Sequence, residues 1–338
     1  MSLPSYNVLP APLWLITTLH LLTLTLHFAA MNFIVGGLIF VLSARSQSRW
    51  SSPLTGRLVH LFPVVMAATV TMGVAPLLFL QLVYGRGVYA ASIVSGWFWL
   101  LIICAVIIGY YALYGASLSQ SASRRGLFLS AALIGVIYVS LVYSSVFALM
   151  ERPALMKELY ARAQSGLAWN PQVKDYGLRW LHMVLGSLTL GGFFALVLAK
   201  DDPAARKRAG GFFLWGVVLG FLSGLAYLFS LGDIMRPFMR SPAIWVLMCG
   251  IVLTMLSVFL YHRRNLFGAG IALFFSMLAM VFSRHWVRLI RLEGHLDPAA
   301  VPVQPQWGVF GVFLACFAVA VGLSAWMLRL FFRRAEPQ

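Results

Sequence analysis

Nine long apolar segments recur along this chain of 338 residues, and they restrict its fold more than any other feature. A helix needs about 20 mostly apolar residues to cross the hydrocarbon core of a bilayer, and each segment meets that length. The sequence therefore predicts an all-α integral membrane protein, a bundle of nine transmembrane helices that forms one membrane domain. The predicted spans are residues 13–43, 58–84, 93–117, 126–150, 177–199, 210–232, 241–261, 266–284 and 307–329.

The composition excludes soluble and disordered classes of protein. Hydrophobic residues make up 61% of the chain and charged residues only 10%, whereas soluble domains have about 25% charged residues. The formal net charge of +16 comes from basic residues in short clusters between apolar runs. That distribution is typical of membrane topology signals, so we expect membrane lipid and not nucleic acid as a partner.

The basic residues also predict an orientation. Nine spans put the two termini on opposite faces, and one face has most of the basic residues of the short connections, which identifies it as cytoplasmic. The N-terminus is then outside and the C-terminus cytoplasmic, in a multi-pass membrane protein. The basic residues of the cytoplasmic face are Arg45, Arg49, Arg57, Arg124, Arg125, Lys200, Arg206, Lys207, Arg208, Arg263, Arg264, Arg329, Arg333 and Arg334.

One connection is much longer than the others, the predicted outer-face loop at residues 150–176. It contains the sequence ERPALMKELYARAQ, whose spacing and mixed charge predict a short amphipathic helix. Two interpretations stay open at this point. The helix either caps the bundle at the membrane surface or forms a docking surface or lid for a partner.

The acidic residues disfavour two kinds of membrane protein. All of them fall in loops or at the ends of spans, whereas ion-coupled carriers and pumps usually have an ionisable carboxylate within the membrane. The sequence also lacks a filter-like segment, which disfavours a channel, and broken helices, which disfavours a transporter. The acidic residues are Glu151, Glu158, Asp175, Asp201, Asp202, Asp233, Glu293, Asp297 and Glu336.

Several of the predicted spans contain histidines, although none contains an acidic residue away from its ends. His20 and His27 lie in span one, His182 near the outer end of span five and His285 at the outer end of span eight. His20 and His27 are two helical turns apart, so they face one neighbour at depths that differ by about 10 Å. This spacing suits ligands of two macrocycles, or one ligand and a supporting residue. The alternative is a pair of histidines that hydrogen-bond to adjacent helices.

Spans five and seven contain a second candidate ligand set. Gly186 follows His182 by one turn and leaves room for a flat ring beside the helix, although small residues also suit close helix packing. Met248 in span seven lies at a similar predicted depth. Imidazole and thioether together form a low-spin heme ligand pair, whereas a single methionine is more often a core residue.

Arginines flank these histidines at the predicted outer face. Arg284 and Arg288 border His285 in span eight, and Arg179 precedes His182 in span five. Arginines at a membrane interface need no special role. They also suit the propionates of a heme, which are anions that need partners in a medium of low dielectric.

These residues resemble the large subunit of cytochrome bd quinol oxidases and its shortened bd-like relatives. That subunit has nine spans with the N-terminus outside. Its first span has a heme-ligating histidine before a glycine-rich run, its fifth a His-Met pair whose histidine ligates a low-spin heme b, and its seventh the methionine that completes that heme. The similar segments here are Leu26-His27-Phe28 before Val35-Gly36-Gly37, Leu181-His182-Met183-Val184-Leu185-Gly186-Ser187, and Met248.

This chain also departs from the oxidases. They have glutamates in spans three and eight that serve the high-spin hemes and the proton path, and a large loop between spans six and seven that contributes to quinol oxidation. Here span three has no carboxylate over Ser95–Ile102, span eight has Ser276 and Met277, and the loop from Gly232 to Ser241 is short. We therefore expect no terminal oxygen reduction and identify no catalytic residue.

The resemblance implies an electron-transfer subunit of the bacterial cytoplasmic (inner) membrane with two or more hemes b. His182, Met248, His20, His27 and His285 are the candidate iron ligands. The subunit would pass electrons between the quinone pool and a periplasmic multiheme cytochrome or another redox partner, within a quinol:cytochrome c-type oxidoreductase complex. Two other classes stay open: a heme-free membrane anchor of a respiratory complex, and a transporter of a small solute. The heme content of the purified chain separates the first class from both.

Overall fold

The computed structural model describes residues 8–43, 50, 52–162, 165–199 and 202–334. These residues form an all-α membrane protein in which nine helices are long and apolar enough to cross a bilayer. The helices are α1 (Leu13–Leu42), α2 (Pro53–Val94), α3 (Gly96–Leu118), α4 (Ala122–Met150), α5 (Val173–Leu198), α6 (Pro203–Phe229), α7 (Ala243–His262), α8 (Leu266–Leu292) and α9 (Trp307–Arg334). Five residues used in the sequence predictions lie outside the described residues: Arg45, Arg49, Lys200, Asp201 and Glu336.

Short helices and turns connect some of these long helices. The connection between α4 and α5 contains a helix at Pro153–Arg162, and another short helix at Met235–Arg240 precedes α7. Single 3-10 turns occur at Gly232–Ile234 and Pro298–Ala300. We refer to the end of the bundle at which α1 begins as the N-terminal end, and to the opposite end as the C-terminal end.

Side-chain caps begin three of the long helices. The side chains of Ser52, Asp202 and Asn265 accept hydrogen bonds from backbone N–H groups in the first turns of α2, α6 and α8. Those N–H groups have no partner inside the helix, so a cap oxygen satisfies them where the helix leaves the membrane. Proline follows Ser52 and Asp202 directly, in the position where its missing N–H costs nothing.

Three helices, α2, α6 and α8, extend by seven or more residues past their predicted spans. Helix α2 covers Pro53–Val94 where the sequence predicts residues 58–84, and α8 ends at Leu292 and not at residue 284. Hydropathy marks only the part of a helix that lies in hydrocarbon, whereas the backbone stays helical beyond it. A kink at Tyr84 (φ −120°, ψ 15°) separates the last ten residues of α2 from the rest.

The helices pack mainly as hairpins of consecutive helices. The most extensive contacts join α1 to α2, α3 to α4, α5 to α6 and α7 to α8, and α1 also packs along α5. Glycines make two of these contacts unusually close. A Cβ at Gly216 of α6 would overlap the backbone of α5 at Thr189, and one at Gly36 of α1 would overlap the carbonyl of Ser187. Small residues let backbones approach in the membrane, where packing holds helices together.

A cap closes the N-terminal end of the bundle. The end of α2 buries Val88, Ala91 and Val94 in a cluster with Met150, the last residue of α4, and Met156 of the long connection. The Asn170 side chain, which is fully buried, donates to the Ser145 carbonyl at 3.1 Å. The connection is therefore held against the bundle by burial and hydrogen bonds.

Helix α9 differs from the others. None of the residues in its apolar window is buried, and it has no extensive contact with another helix in the described part of the chain. Its beginning is held in position, because Gln304 and Gln306 donate backbone hydrogen bonds to Leu9 and Pro10 at 2.9 Å. The apolar length of α9 thus faces away from the bundle.

Candidate functional site

Two histidines of α1 hydrogen-bond to backbone carbonyls of α2. His20 Nδ1 lies 3.0 Å from the Pro76 carbonyl oxygen, and His27 Nδ1 lies 2.9 Å from that of Thr69. A carbonyl oxygen only accepts, so in the neutral imidazole Nδ1 must donate. The proton is then on Nδ1, and Nε2 presents its lone pair.

His182 of α5 has the same arrangement with another neighbour. Its Nδ1 lies 3.0 Å from the Gly220 carbonyl oxygen and 3.2 Å from the Ser223 hydroxyl, both on α6. An Nδ1–H bond to a backbone carbonyl is the usual support of a metal-ligating histidine, since it sets the tautomer and the ring orientation. Three histidines on two helices are thus prepared to offer Nε2 to a ligand.

Glycines make room for two of these rings. A Cβ at Gly73 would lie 2.9 Å from His27 Cε1, and a Cβ at Gly224 would lie 3.0 Å from His182 Cε1. Any larger residue would push the ring from its position. At Gly186, one turn after His182, a Cβ would meet no atom within 4 Å, which agrees with the predicted room for a flat ring on this side of the helix.

Helix registers show how deep each candidate ligand lies. A Cβ at Gly36 would lie 3.0 Å from Gly191 Cα as well as against Ser187, so residue 36 of α1 is level with about residue 189 of α5. At about 1.5 Å per residue, His182 then lies within about 3 Å of the depth of His27. The sequence predicts His182 near the outer end of span five, whereas the register places it deeper, at about the depth of His27 in α1.

Met248 lies at the same level on α7. Thr254 Oγ1 of α7 lies 2.6 Å from Ser276 Oγ of α8, which fixes the register of these two helices. Asn32 Nδ2 of α1 lies 3.9 Å from Met277 Sδ of α8, which fixes the register of α8 with α1. Counting back along these helices puts Met248 within about 3 Å of the depth of His27. Met248 is 39% exposed, and α7 has extensive contact with α8 but not with α5 or α6 in the described residues. The structure thus brings Met248 to the depth of His182 without direct packing of their helices.

His285 lies closer to the N-terminal end. The register of α8 with α1 makes His285 level with about residue 24, and thus about 6 Å from the depth of His20. Its Nδ1 is buried and has no hydrogen-bond partner among the described residues. His27, His182 and Met248 thus lie at similar depths, which we call the inner layer. His285 lies about 4.5 Å and His20 about 10 Å nearer the N-terminal end than His27, and we call these two residues the outer layer.

An arginine cluster covers the outer layer. Arg284, Arg288 and Arg291 follow each other at i, i+4 and i+7 on one face of α8, and all three pair with Glu151. Arg288 Nε is 3.3 Å and Arg291 Nη1 is 3.6 Å from a Glu151 carboxylate oxygen. Arg179 is buried beside them and donates to the Ser144 carbonyl oxygen at 2.5 Å.

The cluster has more positive than negative charge. Asp175 pairs with Arg152 and lies 3.7 Å from Arg291, so five guanidinium groups face the two carboxylates of Glu151 and Asp175. The Nη1 atoms of Arg284 and Arg288 are buried and have no hydrogen-bond partner in the part of the chain that the structure describes. Unpaired buried charge is costly, so this cluster is suited to bind an anion.

Glu151 holds the cluster together. Its side chain is fully buried, and burial by itself would raise the pKa of the carboxyl. Arg284, Arg179, Arg288 and Arg291 oppose that effect and lower the pKa to about 2. Glu151 is therefore ionised at neutral pH.

The sequence analysis missed this buried carboxylate. It lies at the end of α4, outside the apolar run, so the expectation that acids stay at span ends holds, whereas the inference of a bundle without buried carboxylates is wrong for Glu151. The i, i+4, i+7 arginines of α8 were the available signal. Three arginines on one helical face near the membrane require an anionic partner.

Ser276 has a structural role. It donates to the Gly250 carbonyl oxygen at 2.8 Å and contacts the Thr254 hydroxyl, so it joins α7 to α8.

The ligand set fits a heme better than a bare metal ion. The described residues contain no group of three or more His, Cys, Asp or Glu side chains that could hold a metal. A porphyrin supplies the equatorial nitrogens of its iron, so it needs only one or two protein ligands. Single histidines with a free Nε2 meet that requirement, and the arginine cluster meets the need of the propionates.

No protein-family model matches this chain, and a search of curated proteins finds no match.

Proposed function

We propose that this chain is a heme b electron-transfer subunit of the bacterial inner membrane. It passes electrons between the quinone pool and a redox partner on the outer face, such as a periplasmic multiheme cytochrome. The observation that carries the proposal is the common arrangement of His20, His27 and His182, in which Nδ1 donates to a backbone carbonyl and Nε2 is left to bind iron.

Each candidate ligand has a role in this proposal. His182 and Met248 hold one low-spin heme in the inner layer, and His20, His27 and His285 are ligands for at least one more. Bound heme supplies reversible one-electron chemistry. The Gly220 carbonyl keeps the His182 proton on Nδ1 and the ring in one orientation, so the ligand is present before heme arrives.

The arginines bind the heme propionates. Arg284 and Arg288 each have a buried guanidinium nitrogen without a partner in the described chain, and Arg179 lies beside them. Propionates are carboxylates, and guanidinium groups bind carboxylates through short, charge-assisted hydrogen bonds. Two propionates would leave the cluster close to neutral, which favours this ligand over a single small anion.

The orientation of the bundle indicates the face at which electrons are exchanged with the partner. Among the short connections, basic residues are more numerous at the C-terminal end of the bundle, where Arg57, Arg124, Lys207, Arg263 and Arg264 lie, which favours a cytoplasmic location for that end. The N-terminal end is then outside. The histidine layers and the arginine cluster lie toward that end, so electrons leave or enter there.

The exposed helix α9 favours a place in a larger complex. Its apolar residues have no partner of extensive contact in the described chain, and respiratory redox subunits usually work with others. The same observation favours the alternative of a heme-free anchor subunit, in which the histidines serve only as polar contacts between helices.

A heme assay separates these two functions. The dithionite-reduced minus oxidised spectrum of the purified chain should show a b-type α band, and a pyridine hemochrome assay should give two or more hemes per chain. Absence of the band refutes the heme function and leaves the anchor. His182→Ala should remove about one heme per chain, whereas the matched change His262→Ala, at an exposed histidine of the C-terminal end, should remove none. An unchanged count in the His182 variant would refute that ligand.

A further inference from the structure

We infer that the heme of His182 and Met248 occupies the space between α6 and α7, and that this heme joins the middle of α7 to the rest of the bundle. The inference rests on the proposed heme function and adds the place of the ring and its effect on the fold. It begins with an unusual pair of neighbours: α6 and α7 are consecutive helices, yet they have no extensive contact in the described part of the chain.

The contacts that do join α6 and α7 lie near their ends. At the C-terminal end of the bundle the rings of Phe213 and Tyr261 are 5.3 Å apart, and a Cβ at Gly210 would overlap the Tyr261 hydroxyl. At the N-terminal end Tyr227 of α6 belongs to one hydrophobic cluster with Ala243 of α7. Between these levels α7 packs along α8, so its middle is held on one side.

The contact of Tyr261 with α6 also fixes a register. Tyr261 is level with about residue 211 of α6, between Gly210 and Phe213. The two helices run in opposite directions, and Met248 precedes Tyr261 by thirteen residues. Met248 is therefore level with about residue 224, to within about 3 Å. This register is independent of the one through α8 and α1, and it gives the same depth.

The His182 ring lies at that depth on the other side of the space. A Cβ at Gly224 would lie 3.0 Å from His182 Cε1, so the ring rests against α6 at the level of Met248. The Met248 side chain is 39% exposed and is not enclosed by neighbouring helices. An imidazole and a thioether thus lie at one level, with the middle of α6 and α7 unpacked between them.

Glycines leave this space open. Gly220 and Gly224 follow Phe213 by seven and eleven residues, so they lie on nearly the same face of α6. A Cβ at Gly220 would have Gly186 Cα, at 3.9 Å, as its single neighbour within 4 Å, and a Cβ at Gly186 would have none. Where α6 has large side chains it meets α7, and where it has glycines the described residues leave room.

A heme suits this space better than a lipid chain. A lipid chain needs only apolar walls, whereas His182 offers Nε2 and Met248 a thioether at the same depth. Imidazole and thioether are the axial pair of a low-spin heme iron. A ring bound by both residues supplies packing that α6 and α7 do not give each other, and its loss leaves those surfaces without contacts. The middle of α7 is then held by the heme on one side and by α8 on the other.

Distances between spin labels test this role of the heme. One pair, Leu222→Cys on α6 and Val252→Cys on α7, lies in the middle of the two helices at exposed positions. A second pair, Lys207→Cys and Arg263→Cys, lies at their exposed C-terminal ends. The cysteines replaced by alanine in this background are Cys104, Cys249 and Cys316. Loss of heme should broaden the distance distribution of the middle pair or shift it to longer distances, and should leave the end pair unchanged.

Heme can be removed in two ways. His182→Ala removes a ligand, and wild-type chain produced with heme synthesis blocked lacks heme without a substitution. Addition of hemin should restore the narrow distribution of the middle pair in the heme-depleted wild type and not in His182→Ala. Met248→Leu should open the middle pair, whereas Met255→Leu, at another exposed methionine of α7, should not.

Two results would overturn the inference. Identical distributions of the middle pair with and without heme would show that a lipid or a partner helix fills the space. A change at both pairs would show a general loss of the fold and not a local role. In either case the wild-type protein keeps its b-type α band, whereas failure of the proposed function removes that band from the wild type.

Discussion

Replacement of Gly216 by alanine should weaken the contact between α5 and α6 on which His182 depends. A Cβ at this position would lie 2.7 Å from the Leu188 carbonyl carbon and 2.7 Å from Thr189 Cα, whereas ordinary contact begins at 3.4 Å. The opposing atoms are backbone atoms, which cannot turn aside as a side chain does. The Thr189 backbone nitrogen would be closer still, so the two helices must separate by more than the difference of about 0.7 Å between 2.7 Å and 3.4 Å at this point.

The magnitude follows from two opposing effects. Overpacking of a close contact costs about 1–3 kcal/mol, and alanine in place of glycine returns up to about 1 kcal/mol of helix propensity. Gly211→Ala is a matched control, since it lies five residues away in the same helix and its Cβ would meet no atom within 4 Å. It has the propensity gain alone. The two variants should differ in free energy of unfolding by about 1–3 kcal/mol.

Unfolding of both variants in the same detergent, followed by circular dichroism, measures this difference. The Gly216→Ala variant should also hold His182 less firmly, because the 3.0 Å bond from His182 Nδ1 to the Gly220 carbonyl crosses the same interface. Equal midpoints for Gly216→Ala and Gly211→Ala would refute the close packing of α5 on α6.

Three further predictions concern the buried residues of the site. Glu151→Gln should lower the free energy of unfolding by about 3–5 kcal/mol, because it leaves buried arginines without their counter-charge. The control Glu158→Gln, at an exposed ion pair, should change little in the same denaturation assay. In the folded protein the pKa of Glu151 is about 2, below the usual value of 4.5. The stability that its ionised form contributes is therefore complete above about pH 4.5 and is lost as pH falls toward 2. Thermal unfolding at several pH values should show this loss in the wild type and not in Glu151→Gln. Gly224→Val should displace the His182 ring, which lies 3.0 Å from a Cβ at residue 224, and lower the heme count where Gly211→Val does not.

The sequence predicted the positions of the helices better than their lengths. Each of the nine predicted spans overlaps one long helix, because a run of apolar residues long enough to cross a bilayer has few other stable conformations in lipid. Residues 85–92 of α2 lie between two predicted spans. Hydropathy alone does not distinguish such a polar stretch of helix from a loop.

The site was predictable one residue at a time and not as an arrangement. His20, His27 and His182 were visible as polar residues in apolar runs, but the carbonyls that orient them come from Pro76, Thr69 and Gly220 on other helices. Every residue has a carbonyl, so no sequence pattern marks the ones that accept from a histidine.

By itself the sequence determined that this chain is an all-α membrane protein with histidines inside its spans. Hydrophobicity acts locally along the chain, so both features can be read without knowing which helices meet. Only the tertiary structure decided that Glu151 is buried among the arginines of α8 and that the candidate ligands form two layers. Those facts depend on helix register, which close contacts such as that of Gly36 with Ser187 set between segments far apart in sequence.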